Sequence, residues 1–124
     1  MVPAFLLSES AVREDGSSAD FALASNERQP LLITLGITRI LECESLEVSI
    51  WGSTDGTVWR PVAAFPPKGY CGKYYLPVDL SGNGDVRFLR ARWKMSRWDH
   101  RDRTTLFDFY VFVEEVQARV AGAA

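Results

Sequence analysis

The sequence is poor in the residues that most metal sites and disulfide frameworks need. Its 124 residues include two cysteines, Cys43 and Cys71, and one histidine. Two cysteines and one histidine without ligand spacing do not form a zinc site, and a single possible bridge is not a disulfide framework. We therefore expect no metal, and two free thiols in a reducing compartment.

Long apolar runs are also missing. No run approaches the roughly 18 residues of a membrane span. The apolar stretch at residues 1–7 is short and lacks a basic segment, so it does not resemble a signal peptide. We expect no membrane partner, and a cytoplasmic or particle-associated location.

The net charge of −2 is too close to neutral to indicate nucleic-acid binding. The charge is unevenly spread, however: residues 1–56 carry nine acids and three bases, and residues 57–124 carry seven acids and eleven bases. The densest basic cluster consists of Arg87, Arg90, Arg92, Lys94, Arg97, Arg101 and Arg103. These side chains either pair with acids across strands, or form a basic face for an acidic ligand or for the acidic half of a second copy.

No helical period is sustained anywhere, and the apolar residues instead recur with a period of two. In the last strand Phe107, Phe109, Val111 and Val113 alternate with mixed residues, and in the strand before it Leu89, Ala91, Trp93 and Met95 alternate with basic ones. The alternation predicts one core face on each strand. Eight strands are predicted, at residues 4–8, 20–24, 31–41, 46–51, 58–65, 73–80, 88–95 and 106–114.

Turn residues separate the predicted strands, among them 15–18, 54–57 and 81–85. The Asp55-Gly56 pair predicts a tight type I′ hairpin. We therefore predict an all-β fold, an eight-stranded antiparallel jelly-roll β-sandwich. Residues 1–120 form one domain in this interpretation, and residues 121–124 a frayed tail.

Three segments in order resemble the galactose-binding-like jelly rolls, the group of discoidin domains and carbohydrate-binding modules. They are a strand ending in Ser53-Thr54-Asp55-Gly56-Thr57-Val58-Trp59, the Phe88-Leu89-Arg90 step, and the apolar strand at 106–111. The resemblance covers roughly residues 31–116. It implies a β-sandwich and, more weakly, a sugar ligand. The first loops lack the family's aromatic platform, so no sugar-binding residue is carried over.

Catalytic patterns are absent from the sequence. His100 lies among Asp99, Asp102 and Thr104 in one loop, but neighbours in a loop rarely form a triad, and no Gly-x-Ser-x-Gly turn is present. The pairs Glu42/Glu44 and Glu114/Glu115 show no convergence on one bond. The glycines at 82 and 84 lie in a turn between strands, so no nucleotide is expected. We expect no enzyme activity and no cofactor.

Aromatic and arginine residues on the non-core side of the strands are the better candidates for function. Such residues are enriched at protein interfaces. The predicted interface face comprises Trp51, Phe88, Arg90, Arg92, Lys94, Tyr110 and Phe112. The alternative is that a loop or the N-terminal strand covers these side chains.

Two functions follow from these patterns. The first is a non-enzymatic interaction module with a protein partner, including copies of itself, for example within a larger particle. The second is a carbohydrate-binding module that uses loop residues, namely Tyr70, Tyr74, Trp98, His100 and Arg101, with Tyr75 as a further ring.

Overall fold

The alternating pattern produces strands throughout the part of the chain that a computed structural model describes, residues 3–23, 30–41, 45–80, 86–96 and 106–115. No helix of more than a single turn occurs in these ranges. The strands are β1 (Ala4–Val12), β2 (Gly16–Ser17), β3 (Phe21–Ala22), β4 (Leu31–Leu41), β5 (Ser45–Ser53), β6 (Trp59–Ala64), β7 (Gly72–Val78), β8 (Phe88–Ser96) and β9 (Leu106–Glu115). The predicted all-β class is therefore confirmed.

The strands form two antiparallel sheets packed face to face. One sheet has the order β1-β9-β4-β7, and the other has the order β2-β8-β5-β6, with β3 also paired to β8. The antiparallel pairs are nested along the chain, each pair lying within the sequence limits of the one before. β1 pairs with β9, β2 and β3 pair with β8, β4 pairs with β7, and β5 pairs with β6. A ribbon of nested antiparallel pairs folded over on itself is the jelly-roll arrangement.

The predicted number of eight strands is wrong by one, because one edge position is occupied by two short strands. Residues 15–18 were predicted as a turn, but Gly16 and Ser17 pair with β8. At Ser18 the side chain interrupts the ladder: its backbone N–H donates to Ala91 O at 2.8 Å, while its Oγ accepts from Ala91 N at 2.9 Å. Because a hydroxyl takes the place of a backbone carbonyl there, the strand stops and resumes at Phe21.

The core lies between the sheets and is built from the inward-facing apolar residues that the alternation predicted. Phe107, Phe109, Val111 and Val113 are fully buried, as are Leu89 and Ala91 on the facing sheet. Trp93 packs its edge against Phe109, with ring centroids 5.5 Å apart. Burying each such large apolar side chain contributes about 1.5–3 kcal/mol, so these two strands supply much of the stability.

Prolines and register shifts interrupt the edge strands of the two sheets. The edge strands β6 and β7 each contain a proline, Pro61 and Pro77, and β1 has two register shifts against β9. A proline cannot donate a ladder hydrogen bond, and a register shift bends a strand away from its neighbour. Both features limit the length of regular edge that is open to pairing.

The hairpin between β5 and β6 forms where it was predicted, but with a five-residue loop, 54–58, instead of a two-residue turn. Ser53 Oγ accepts from the N–H groups of Asp55 and Gly56, at 3.2 and 2.8 Å. Asp55 Oδ1 accepts from the N–H groups of Thr57 and Val58, at 2.9 and 3.1 Å. Gly56 adopts a φ of 85°, which a residue without Cβ adopts freely. The side chains of Ser53 and Asp55 thus replace the backbone bonds of a tighter turn.

Asp55→Asn tests this loop. The hydrogen bonds from the Thr57 N–H, and then from the Val58 N–H, hold the pKa of Asp55 well below its ordinary range. A lowered folded pKa contributes stability above the unfolded pKa of ~3.9, and that contribution is lost as the pH falls below it. We expect wild type to be more stable than Asp55→Asn near neutral pH, and the difference to shrink progressively below about pH 4.

Urea denaturation across this pH range measures the effect. Glu47→Gln, which changes an exposed carboxylate on β5, the strand before the loop, is the matched control. A wild-type advantage that stays constant from neutral to acid pH would contradict the role assigned to the carboxylate.

Candidate binding faces

The predicted interface residues lie on two different faces of the sandwich. β8 and β9 are consecutive along the chain but belong to opposite sheets. Their outward side chains therefore point away from one another. The outer face of the β2-β8-β5-β6 sheet, here called the stacked face, comprises Trp51, Trp59, Arg90, Arg92 and Lys94. The outer face of the β1-β9-β4-β7 sheet, here called the aromatic face, comprises Phe5, Thr34, Tyr75, Tyr110 and Phe112.

The stacked face takes its name from two arginine–tryptophan contacts. The Arg90 guanidinium lies 4.1 Å from the centroid of the Trp59 ring, and the Arg92 guanidinium lies 4.5 Å from that of Trp51. Both distances are within the range of a cation–π interaction. A hydrogen bond also fixes the Trp51 ring, because its Nε1–H donates to Ser49 Oγ at 2.9 Å. The arrangement holds two guanidinium groups over tryptophan rings of the sheet.

The two arginines differ in the hydrogen-bond acceptors of their N–H groups. Arg90 donates to Asp20 Oδ1 from Nη2 at 2.8 Å and from Nε at 3.1 Å. Asp20 lies in the break between β2 and β3, so the interrupted edge strand supplies this carboxylate. Arg92 is flanked in register by Ser17 on β2 and Ser49 on β5. Among the described residues, no carboxylate lies within ion-pair distance of Arg92.

A groove of about 660 Å³ adjoins Arg92 on this face. Trp51, Ser49 and Arg92 line it together with Lys94, Glu47 and Asp15. Asp15 is engaged at the strand edge, where its Oδ1 accepts from the Met95 N–H at 2.9 Å. The groove therefore presents the cations Arg92 and Lys94, with the carboxylate of Glu47 opposite Lys94 in register, beside a Trp51 ring that Arg92 already covers.

The aromatic face contains one row of side chains that crosses all four strands. In register order the row runs from Tyr75 on β7 through Thr34 on β4 and Phe112 on β9 to Phe5 on β1. Phe5 is 51% exposed and Tyr75 is 59% exposed, although both are large apolar side chains. Phe5 also packs against Tyr110 and Phe112, with ring centroids 5.8 and 5.0 Å apart. The N-terminal strand thus lies beside Phe112 and Tyr110, and its own ring extends the patch.

Tyr110 lies directly over Gly36 of the neighbouring strand. A Cβ added at Gly36 would stand 2.1 Å from Tyr110 Cζ and 2.4 Å from its hydroxyl oxygen. Only a glycine leaves room for the ring to lie down on β4. The close packing of the Tyr110 ring on β4 depends on the absence of a side chain at Gly36.

The remaining predicted residues have other surroundings. Phe88 is half-buried, and its ring faces Gly56 in the β5–β6 loop, so it supports that loop. Tyr70 is 81% exposed, and its carbonyl accepts from the Tyr74 hydroxyl at 2.6 Å. Lys68 lies over the Tyr74 ring, 4.5 Å from the centroid. Trp98, His100 and Arg101 lie outside the described residues, as does Cys43, whereas Cys71 is an exposed free thiol.

Sequence reasoning missed Trp59, Phe5 and Thr34 as residues of these faces. It also assigned Tyr75 to the sugar-stacking rings of a loop end, whereas Tyr75 lies within β7. Trp59 was visible in the sequence as the last residue of the hairpin motif, but only the diagonal offset between β8 and β6 brings it beneath Arg90. Phe5 and Thr34 join the row through pairings between strands that are far apart in sequence.

The uneven charge of the two halves of the sequence does not persist as two separate regions. Asp20 in the acidic half pairs with Arg90 in the basic half, and Arg39 pairs with Asp108 at 2.8 Å in the opposite sense. Nested pairing brings the beginning of the chain beside its end, so acids and bases of the two halves become neighbours.

No group of three or more His, Cys, Asp or Glu residues able to hold a metal ion occurs in the described ranges. In the same ranges, no helix is long and apolar enough to cross a membrane.

Comparison with known proteins finds no relative: no protein-family model, no curated protein and no solved structure matches the chain.

Gly36→Ala tests the close approach of Tyr110. The added methyl group displaces the ring, and we expect a loss of about 1–3 kcal/mol in the free energy of unfolding, typical of an overpacked site. A double-mutant cycle provides the control. In the Tyr110→Ala background the same Gly36→Ala change is expected to cost far less, because the ring is gone. Equal costs in the two backgrounds, measured by urea denaturation, would show that the ring does not depend on Gly36.

Proposed function

We propose that this protein is a non-enzymatic interaction module that associates with copies of itself through the aromatic face. The observation that supports this proposal is the row from Tyr75 to Phe5, whose two end residues are large, apolar and more than half exposed. Contiguous exposed apolar side chains usually mark a contact surface, whereas single ones need no explanation. Here the Phe5 ring packs against the rings of Tyr110 and Phe112, and Tyr75 lies in the same cross-strand row beyond Thr34.

The dimensions of the face indicate a modest affinity. Four strands about 4.8 Å apart, and up to about ten residues long at ~3.4 Å each, give a face on the order of 500 Å². A stable interface commonly buries about 800 Å² on each partner. Association through this face alone is therefore expected to depend on protein concentration, and to strengthen where many copies are held together in a particle.

The charges around the face suit a second copy. The rows on either side of the cross-strand row that contains Thr34 each contain a charged residue. Lys73 lies opposite Gly36 in one of them, and Glu114 lies opposite Leu32 in the other. A twofold axis that runs across the strands would bring the Lys73 end of one copy towards the Glu114 end of the other. An isologous contact of this kind uses the same patch on both copies.

A second candidate function is carbohydrate binding, in a domain of galactose-binding-like type. The resemblance of the β5–β6 hairpin to that group supports it, together with Tyr70, whose ring is 81% exposed in the segment before β7. The bond from the Tyr74 hydroxyl to the Tyr70 carbonyl holds that segment, so the ring has a fixed support. An exposed aromatic ring on a supported loop is able to stack against the apolar face of a sugar.

The double variant Phe5→Ser/Tyr75→Ser tests the main proposal. Both side chains are largely exposed, so the fold is expected to survive, while the dissociation constant of the self-associated form rises by about tenfold or more. Sedimentation equilibrium over a range of protein concentrations measures this change.

The matched control is Val58→Ser/Tyr70→Ser, which removes two large apolar side chains that are 74% and 81% exposed and lie outside the aromatic face. Self-association of this variant is expected to equal that of wild type. A wild-type protein that stays monomeric at every concentration, or a control that weakens association equally, would contradict the proposal.

Carbohydrate binding is tested with a glycan array probed by wild type and by Tyr70→Ala. Binding that is present in wild type and lost in Tyr70→Ala would support the second candidate. An array without any bound glycan would count against it and would leave the first candidate standing.

A further inference from the structure

Two arginines on the stacked face form a matched pair within one molecule. Arg90 and Arg92 are two residues apart on β8, point to the same side, and lie against tryptophan rings at 4.1 and 4.5 Å. Arg90 has a carboxylate from its own chain, Asp20, on its Nε and Nη2. Arg92 has the ring but, in the described part of the chain, no carboxylate. The molecule therefore shows both a completed arginine site and an incomplete one.

We propose that Arg92 binds the carboxylate of an Asp or Glu side chain supplied by a protein partner. The partner's carboxylate would take the role at Arg92 that Asp20 has at Arg90. A guanidinium presents its N–H groups as a planar fork that matches the two oxygens of a carboxylate. Because Trp51 already holds the guanidinium in place, little side-chain freedom is lost when the carboxylate binds.

The surroundings of Arg92 leave space for such a side chain. Its cross-strand neighbours on the same face are the two short residues Ser17 and Ser49. The groove of about 660 Å³ opens beside it, and Lys94, the next outward residue on β8, lines the same groove. Ser17 and Ser49 have hydroxyl groups, and Lys94 adds a second positive charge. Glu47 lines the groove as well, but it lies opposite Lys94 in register, so Arg92 is the cation in this groove that an anion would meet.

The geometry favours a protein partner over a stacked sugar. The Arg92 guanidinium covers the Trp51 ring, so this indole face is not open to a sugar ring. Arginine beside tryptophan is instead the composition of energetically dominant residues in protein interfaces. Arg92 is also on the opposite side of the sandwich from Phe5 and Tyr75. The site therefore goes beyond self-association through the aromatic face, and gives the module a second, independent attachment point.

The first experiment is a calorimetric titration of the full chain with a short synthetic peptide of alternating Glu and Thr. The peptide of alternating Gln and Thr serves as the uncharged control. We expect saturable binding of the Glu peptide at low ionic strength, weaker binding as salt is added, and no binding of the Gln peptide. Arg92→Gln is expected to weaken binding by about tenfold. Arg39→Gln, which removes the same charge from the opposite sheet, is expected to leave binding unchanged.

A second pair of variants tests the site without removing Arg92. Ser17→Asp places a carboxylate on the register neighbour of Arg92, as an internal competitor, and is expected to abolish peptide binding. Ser17→Asn, of the same size and without the charge, is expected to bind as wild type does. Asp20→Asn releases Arg90 and is expected to strengthen binding. All these positions are at the surface, and thermal unfolding verifies that each variant is folded.

Three results would overturn the proposal. One is the absence of saturable binding of the Glu peptide to wild type at low ionic strength. Another is equal binding by wild type, Arg92→Gln and Ser17→Asp. The third is tight binding of polygalacturonate without binding of the Glu peptide, since the carboxylate would then come from a polysaccharide and not from a protein. None of these results bears on self-association, which the Phe5 and Tyr75 variants report separately.

Discussion

The register between β4 and β9 constrains more of this molecule than any other pairing. Thr34 lies opposite Phe112, and Leu35 lies opposite Val111. This register directs Phe109, Val111 and Val113 into the core and directs Tyr110 and Phe112 outwards. A slip of one residue would exchange the two sets, bury Asp108 and Glu114, and expose the buried apolar residues. The core and the aromatic face are therefore two results of one alignment, and neither can change without the other.

In the opposite sheet, the alternation along β8 likewise determines which residues face the core and which face the solvent. β8 directs Leu89, Ala91 and Trp93 inwards, so the residues that alternate with them, Arg90, Arg92 and Lys94, face outwards. Long basic side chains have apolar stems that can cover aromatic rings while their charges remain in water. Arginines of β8 thereby cover Trp51 on the neighbouring strand β5 and Trp59 on β6, one strand further away. The result is a face that is rich in tryptophan and yet presents mainly charge to the solvent.

Much of this architecture could be predicted from the sequence, because the period of two is a local property. Alternation on β8 and β9 identified the core residues correctly, and turn residues separated most of the strands. The sheet to which each strand belongs is not a local property. Tyr110 and Arg92 were therefore placed on one face, although nested pairing puts their strands in opposite sheets. The extra strand at Gly16 was missed for a related reason: only the bond between Ser18 Oγ and Ala91 N shows where the edge strand is interrupted.

The prolines of the edge strands have a consequence for the form of any assembly. Pro61 and Pro77 each remove a hydrogen-bond donor from a strand at the edge of its sheet, and a partner strand would have to pair across that gap. If copies associate, these two edges are therefore less favourable sites of contact than the broad sides of the sandwich. Sheets that stack in pairs bury their contact surfaces in one another and stop growing, whereas sheets that join edge to edge continue into fibres. Pro61 and Pro77 thus favour an assembly of limited size over a fibre.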